Sequence, residues 1–135
     1  MTSTSTTTTT AVDRLLDVVV GARVVDADIY AEDALLDATV PGWRFSVAGA
    51  ASIGYQFAEW FRDPGQLEEL ARHRTPTGEV VEYTLTWEEG GIPHAAHHVH
   101  VLTVEDDRIA RDNFWCGGRW PAPLLAEMEA ARHDG

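Results

Sequence analysis

The chain has 135 residues, of which 44% are hydrophobic, and it carries a formal net charge of -12. This length fits one domain with an apolar core, and the negative charge disfavours contact with nucleic-acid phosphates or anionic lipid. A single cysteine, Cys116, excludes an internal disulfide and a zinc site built from several thiolates. We therefore expect a cytoplasmic protein with no nucleic-acid or membrane partner.

The N-terminal part of the chain predicts a polar tail and then a helix. The sequence "MTSTSTTTTT" lacks the basic and apolar regions of a secretory signal, so residues 1–10 are predicted to form a disordered threonine-rich tail before a single domain at 11–135. Apolar residues at helical spacing then predict a helix from Ala11 to about Ile29. No apolar run in the sequence approaches the roughly 18 residues that a membrane-spanning helix requires.

The next segments predict a hairpin and a second helix. A strand from Ala34 to Val40 ends at Pro41 and Gly42, and "RFSVAG" is the returning strand. The second helix is predicted from Ala50 to Phe61, where "RDPG" ends it.

The second half of the chain predicts mainly strands. Between residues 67 and 116, β-forming side chains are separated by the turn sequences "TPTGE", "EEGGIP" and "EDD", which predicts three or four strands. The final "PAPLLAEMEAAR" predicts a short amphipathic helix. Helices followed by a run of antiparallel strands indicate an α+β fold, in which sheet curvature leaves a pocket for a small, largely apolar organic ligand.

The stretch "HAAHHVHVLTV" begins at His94 and holds four of the six histidines. Because side chains alternate along a strand, His98 and His100 share one face, whereas His97 lies on the other. Imidazoles at this spacing fit a metal site, a proton-transfer site or the polar wall of a pocket. The pattern alone leaves these alternatives open.

Two stretches resemble motifs of the nuclear transport factor 2-like superfamily, also called SnoaL-like. "YAEDALLDATVPGW" is similar to its aromatic, small, acidic-Asp-Ala and apolar-strand pattern, and "VLTVEDDRIARDNFW" is similar to its last hairpin. The resemblance covers roughly Ala11 to Trp120 and implies a cone, in which a curved antiparallel sheet wraps around N-terminal helices and encloses a pocket. It also implies a homodimer through the outer sheet face, where Val99, Val101 and Trp115 are predicted.

The members of this superfamily include ketosteroid isomerases, epoxide hydrolases, dehydratases and polyketide cyclases. The tyrosine and two aspartates of the ketosteroid isomerases would fall at Arg14, Ala38 and His100, so the resemblance does not extend to the catalytic residues of those enzymes. Arg111 and Asp112 are adjacent and do not reproduce the Asp-Arg-Asp set of the epoxide hydrolases. The histidine and aspartate of the cyclases are the closest match of residue types.

The same resemblance places His100 and Asp112 on the pocket face of neighbouring strands. We predict that Asp112 orients His100, which acts as the catalytic base, with His98 as the second choice of base. A proton removed beside a carbonyl leaves an enolate, to which Arg14, Trp43, Tyr55 or Tyr83 could donate. The predicted substrate-binding residues are Arg14, Leu36, Ala38, Trp43, Tyr55, Tyr83, Leu102, Phe114, Cys116 and Trp120.

Three functions follow from these residues. The first is metal-free acid/base catalysis of the cyclase, isomerase or dehydratase type, without a cofactor, on an apolar polyketide- or terpenoid-like substrate. The second is a non-catalytic ligand-binding or dimerisation domain, in which the same side chains line a cavity. The third is a metal-dependent enzyme that uses the His98 and His100 pair, with Asp112 or Glu82 as a further ligand.

Overall fold

The computed structural model describes residues 10–21 and 28–134, so the predicted tail lies outside the described residues except for Thr10. The first helix, α1, spans Ala11–Gly21 and buries one apolar face that includes Leu15 and Val19. The prediction that this helix continues to Ile29 is wrong, because Ile29 lies in a turn that leads into the first strand.

The other elements follow the predicted order. Four strands lie between residues 65 and 116, and the predicted hairpin and second helix are present. The hairpin's first strand begins at Tyr30 rather than Ala34. The elements are β1 Tyr30–Val40, β2 Trp43–Ala48, α2 Ala50–Trp60, β3 Gly65–Thr75, β4 Gly78–Glu89, β5 Ile92–Glu105, β6 Arg108–Cys116, β7 Trp120–Pro121 and α3 Ala122–Asp134.

The strands form one open sheet in the order β2-β1-β6-β5-β4-β3, and β7 pairs with β5. The α+β class is confirmed, but the sheet is mixed, because β1 pairs with β6 in parallel whereas the other pairs are antiparallel. The physical reason is that hairpin turns impose antiparallel pairing only within β1–β2 and within β3–β6, because α2 joins these two groups. Strand β2 already covers one edge of β1. The last long strand then enters at the free edge of β1, between β1 and β5.

Two turns fix the elements that carry the site. Asp106 and Asp107 have φ of 52° and 56°, the left-handed conformation of a tight hairpin turn, and they make β5 and β6 immediate neighbours. Gly49 has φ of 94°, which glycine adopts without steric cost, and it redirects the chain from β2 into α2.

The core lies between the helices and one face of the sheet. Helix α1 packs against β3, β4 and β6, and α2 packs against β1 and β2. Phe57 of α2 is fully buried, and its ring contacts the rings of Tyr30 and Phe114 edge-on. Within the described ranges, no helix is long and apolar enough to cross a membrane.

The side chains of β5 and β6 alternate as predicted. His98 and His100 are buried on the core face, while His97 is half-buried on the other face. On β6, Asp112 is buried and Trp115 is 44% exposed. The histidine-rich strand is therefore divided between two environments.

Candidate active site

A cavity of about 400 Å³ opens between the core face of the sheet and the C-terminal end of α2. Its wall is mainly aromatic and includes Phe45, Trp60, Phe61, Trp87 and Phe114. Its ionisable side chains are Asp63, His98, Cys116 and Arg119. An apolar cavity with a few polar groups is typical of a site for a small organic molecule.

His98 is the imidazole on this wall. Its side chain is held edge-on against Phe114, with ring centroids 4.9 Å apart, and Nδ1 lies 3.1 Å from the hydroxyl of Tyr83. No described residue forms a hydrogen bond with Nε2, this atom is not fully buried, and His98 is part of the cavity wall. Burial lowers the pKa of His98 to about 3, and nearby His100 adds to the effect, so the ring is neutral near pH 7.

A buried polar chain continues from His98 into the core. Tyr83 Oη lies 2.9 Å from Nε2 of His100, and Nδ1 of His100 lies 3.0 Å from Oδ1 of Asp112. The hydroxyl of Tyr30 donates to Oδ2 of Asp112 at 2.7 Å. We call the five residues Tyr30, Asp112, His100, Tyr83 and His98 the buried polar chain.

Both tyrosines of the buried polar chain remain protonated. Burial raises the pKa of Tyr30 and Tyr83 well above the usual value, and the charge of Asp112 adds to the effect. Each hydroxyl can therefore donate one hydrogen bond and accept others.

Strand register explains how these residues meet. Tyr83 of β4 lies directly opposite His98 of β5, whereas His100 lies opposite Phe114 of β6 and reaches Asp112 diagonally. The contact between His100 and Asp112 that the hairpin predicts is thus present. Tyr30 joins from β1, on the other side of β6.

Comparison with known proteins identifies solved structures with the same fold but no matching family. Neither the protein-family models nor the curated proteins give a match. A proposed isomerase from Bacillus subtilis superposes with a TM-score of 0.63 and 16% identity, over 79% of this chain and 86% of that chain. A nuclear transport factor 2-like protein from Burkholderia xenovorans superposes with a TM-score of 0.60 and 14% identity, over 87% of this chain and 88% of that chain.

A third solved structure has a ketosteroid isomerase-like fold, comes from Catenulispora acidiphila and was solved in complex with trimethylamine. It superposes with a TM-score of 0.58 and 15% identity, over 82% of this chain and 88% of that chain. The chain has the nuclear transport factor 2-like fold. At these identities the likeness shows the fold alone, so the chemistry must be argued from the cavity.

Within this nuclear transport factor 2-like fold, His100 does not lie where the sequence predicts the base. It is fully buried, it is not part of the cavity wall, and both ring nitrogens have partners. The prediction fails because alternation along a strand identifies the sheet face on which a side chain lies but not its distance from the cavity. His98, the second choice, is the histidine on the wall.

Three predicted hydrogen-bond donors are not at the cavity. Tyr55 is 81% exposed on the outer side of α2, and Trp43 is 67% exposed where β2 begins. Arg14 pairs with Asp107 in the turn between β5 and β6 and donates to the carbonyl oxygen of Asp28, and it does not line the cavity. Their prediction as pocket residues is wrong, because amphipathic spacing does not specify which part of a helix or hairpin end meets the cavity.

The remaining predicted binding residues divide into two groups. Phe114 and Cys116 line the cavity, and burial raises the pKa of the Cys116 thiol, which disfavours its thiolate. The others do not line it: Tyr83 lies behind His98, Trp120 packs on the backbone of Gly117 and Gly118, and three are core residues. The core residues are Leu36, Ala38 and Leu102.

Several site residues have no distinguishing signal in the sequence. Tyr30 opens the first motif, but nothing in the motif indicates that its hydroxyl meets Asp112. Arg119 lies on the cavity wall, where it pairs with Glu89 and sits over the ring of Trp87 at 5.1 Å. These placements depend on strand pairings between distant parts of the chain.

The described residues do not support the metal hypothesis. Among them, no group of three or more His, Cys, Asp or Glu side chains is arranged to hold a metal ion. His98 and His100 share a strand face, but both ring nitrogens of His100 are already hydrogen-bonded.

Proposed function

We propose that the protein is an enzyme that transfers protons on a small, largely apolar molecule. His98 removes a proton from a carbon beside a carbonyl group, the step shared by isomerisation, cyclisation and dehydration. One observation carries the proposal: His98 lies on the wall of an apolar cavity and its Nε2 has no hydrogen-bond partner among the described residues, while Nδ1 is bound to a buried chain of proton donors and acceptors.

The cavity wall indicates the shape of the substrate. Trp60 and Phe114 are stacked, with centroids 5.4 Å apart and planes 28° from parallel, and Phe45 meets Trp60 edge-on. Such surfaces favour a flat ring or a conjugated molecule. The Bacillus subtilis relative is a proposed isomerase, which agrees with proton transfer.

A second candidate is a binding domain without catalysis. Burial lowers the pKa of His98 to about 3, so an isolated imidazole at this position is a weak base and suits a neutral wall residue. In this case the cavity would hold an organic ligand unchanged. The ligand-bound Catenulispora acidiphila structure shows that another protein of this fold can hold a small organic molecule.

The test uses β-tetralone, a flat ketone with acidic hydrogens between its aromatic ring and its carbonyl. In heavy water, proton NMR should show that the protein accelerates exchange of these hydrogens for deuterium. His98→Gln should reduce the acceleration by about 10²–10⁴-fold, the usual contribution of a general base. His73→Gln is the matched control, because His73 is exposed on β3, and it should leave exchange unchanged.

Two results would count against the enzyme. If His98→Gln keeps the wild-type exchange rate, His98 is not the base. If wild-type protein binds β-tetralone, seen as quenching of tryptophan fluorescence, but does not accelerate exchange of its hydrogens, the binding domain is the better description.

A further inference from the structure

We propose that Tyr83 carries protons between His98 and the His100–Asp112 pair, so that a proton accepted at the cavity is stored as positive charge on buried His100. Its use in catalysis rests on the proposed function, but its direct test needs no substrate. Three hydrogen bonds connect the cavity to the carboxylate: 3.1 Å from His98 to Tyr83, 2.9 Å from Tyr83 to His100, and 3.0 Å from His100 to Asp112.

The direction of each hydrogen bond follows from the donor inventory. A carboxylate only accepts, so Nδ1 of His100 donates to Asp112, and Nε2 of the neutral ring must accept from the hydroxyl of Tyr83. The oxygen of Tyr83 then accepts from Nδ1 of His98. This order leaves a bare lone pair on Nε2 of His98, at the cavity.

The charge is better placed on His100 than on His98. No carboxylate of the described residues pairs with His98, and burial together with His100, His97 and Arg119 lowers its pKa to about 3. Nδ1 of His100, in contrast, lies 3.0 Å from Oδ1 of Asp112. An imidazolium beside a buried carboxylate gains a direct attraction that His98 lacks, so moving the proton inward offsets the disadvantage of His98 as a base.

The step balances without another reactant. The carbon–hydrogen bond of the substrate breaks, its electron pair remains as the enolate, and the proton binds Nε2 of His98. The proton on Nδ1 of His98 passes to Tyr83 while the hydroxyl proton of Tyr83 passes to Nε2 of His100. His98 and Tyr83 end neutral, and His100 ends as an imidazolium beside the Asp112 carboxylate. The reverse sequence returns a proton to another carbon.

The other ionisable groups that the structure describes around the buried polar chain do not intercept the proton. Tyr30 donates to Asp112, and burial raises its pKa, so it remains a neutral donor. The thiol of Cys116 is protonated, because burial raises its pKa. Arg119 and Asp63 lie on the cavity wall, and Arg119 is paired with Glu89.

The direct test is nitrogen-15 NMR of protein labelled at its histidine rings, which reports the proton on each ring nitrogen. At neutral pH, His98 and His100 should both carry the proton on Nδ1. As the pH falls, His98 should switch its proton to Nε2 at the same midpoint at which His100 gains its second proton, and His98 should stay neutral. His98→Gln and His100→Gln assign the signals.

Tyr83→Phe keeps the ring and removes the hydroxyl that joins the two imidazoles. In this variant the tautomer of His98 should no longer change when His100 gains a proton. The acceleration of β-tetralone exchange should fall on the order of 10²-fold. Circular dichroism checks that the variant is folded. If the variant does not fold, the proposal is still tested in wild-type protein by the shared midpoint of the His98 tautomer switch and the protonation of His100.

Three results would overturn the relay: a proton on Nε2 of His98 at neutral pH, separate midpoints for the two wild-type histidines, or a coupled switch that survives in Tyr83→Phe. The exchange assay separates this proposal from the proposed function. Exchange without the coupled switch overturns the relay, whereas a coupled switch without exchange supports the relay and overturns the catalytic function.

Discussion

Replacing Asp112 with alanine should lower the free energy of unfolding by about 2–6 kcal/mol, because two buried donors lose their acceptor. Asp112 is completely buried and accepts hydrogen bonds from the hydroxyl of Tyr30 and from Nδ1 of His100. Without the carboxylate, both donors remain in the core without a partner, at about 1–3 kcal/mol each. Urea denaturation at pH 7 measures the loss.

Two further variants show whether the buried contacts cause this loss. Asp33 is exposed on β1, so Asp33→Ala should change stability little. Tyr30→Phe removes one donor to Asp112, and combining it with Asp112→Ala should cost less than the sum of the two single changes. Equal effects of Asp112→Ala and Asp33→Ala, or strict additivity, would contradict the interpretation.

The stability of the protein should also depend on pH through His98. The pKa of His98 is about 3 in the fold, below its ordinary value of 6.5, so the unfolded chain binds more protons between these values. The contribution of neutral His98 to the free energy of unfolding is complete above pH 6.5 and declines as the pH falls toward 3. At 1.36 kcal/mol per pKa unit, wild-type protein should lose about 2 kcal/mol more stability between pH 7 and pH 5 than His98→Gln loses.

The comparison of variants isolates this contribution from that of other titrating groups. Glutamine at position 98 removes the imidazole that must stay neutral, whereas His73→Gln alters an exposed ring and should keep the wild-type pH dependence. Urea titrations of all three proteins at pH 7 and pH 5 measure their free energies of unfolding. Equal losses in wild-type protein and His98→Gln would show that burial does not hold His98 neutral.

The sequence predicts those features of the fold and site that depend on local pattern. Alternation puts His98 and His100 on one face of β5, the family resemblance assigns that face and Asp112 to the interior, and the short turn between β5 and β6 brings His100 to Asp112. Apart from the choice of the interior face, these results require only strand parity and adjacency. The order of helices and strands likewise follows from turn sequences and spacing.

Depth in the core and long-range pairing could not be predicted in the same way. His98 and His100 have the same parity, and only the packing of α2 determines that Phe57 covers the deeper ring while His98 meets the cavity. The contact between Tyr30 and Asp112 depends on parallel pairing of β1 with β6. No short-range pattern encodes a pairing between such distant segments.

That parallel pairing also has a consequence for the order of folding. The hairpins β3–β4, β4–β5 and β5–β6 close short loops, whereas β1 must reach β6 across most of the chain, which costs more loop-closure entropy. Contacts of such long sequence separation form slowly. We expect Tyr30 to meet Asp112 in the late stages of folding, so the buried carboxylate gains its second donor only as the native sheet is completed.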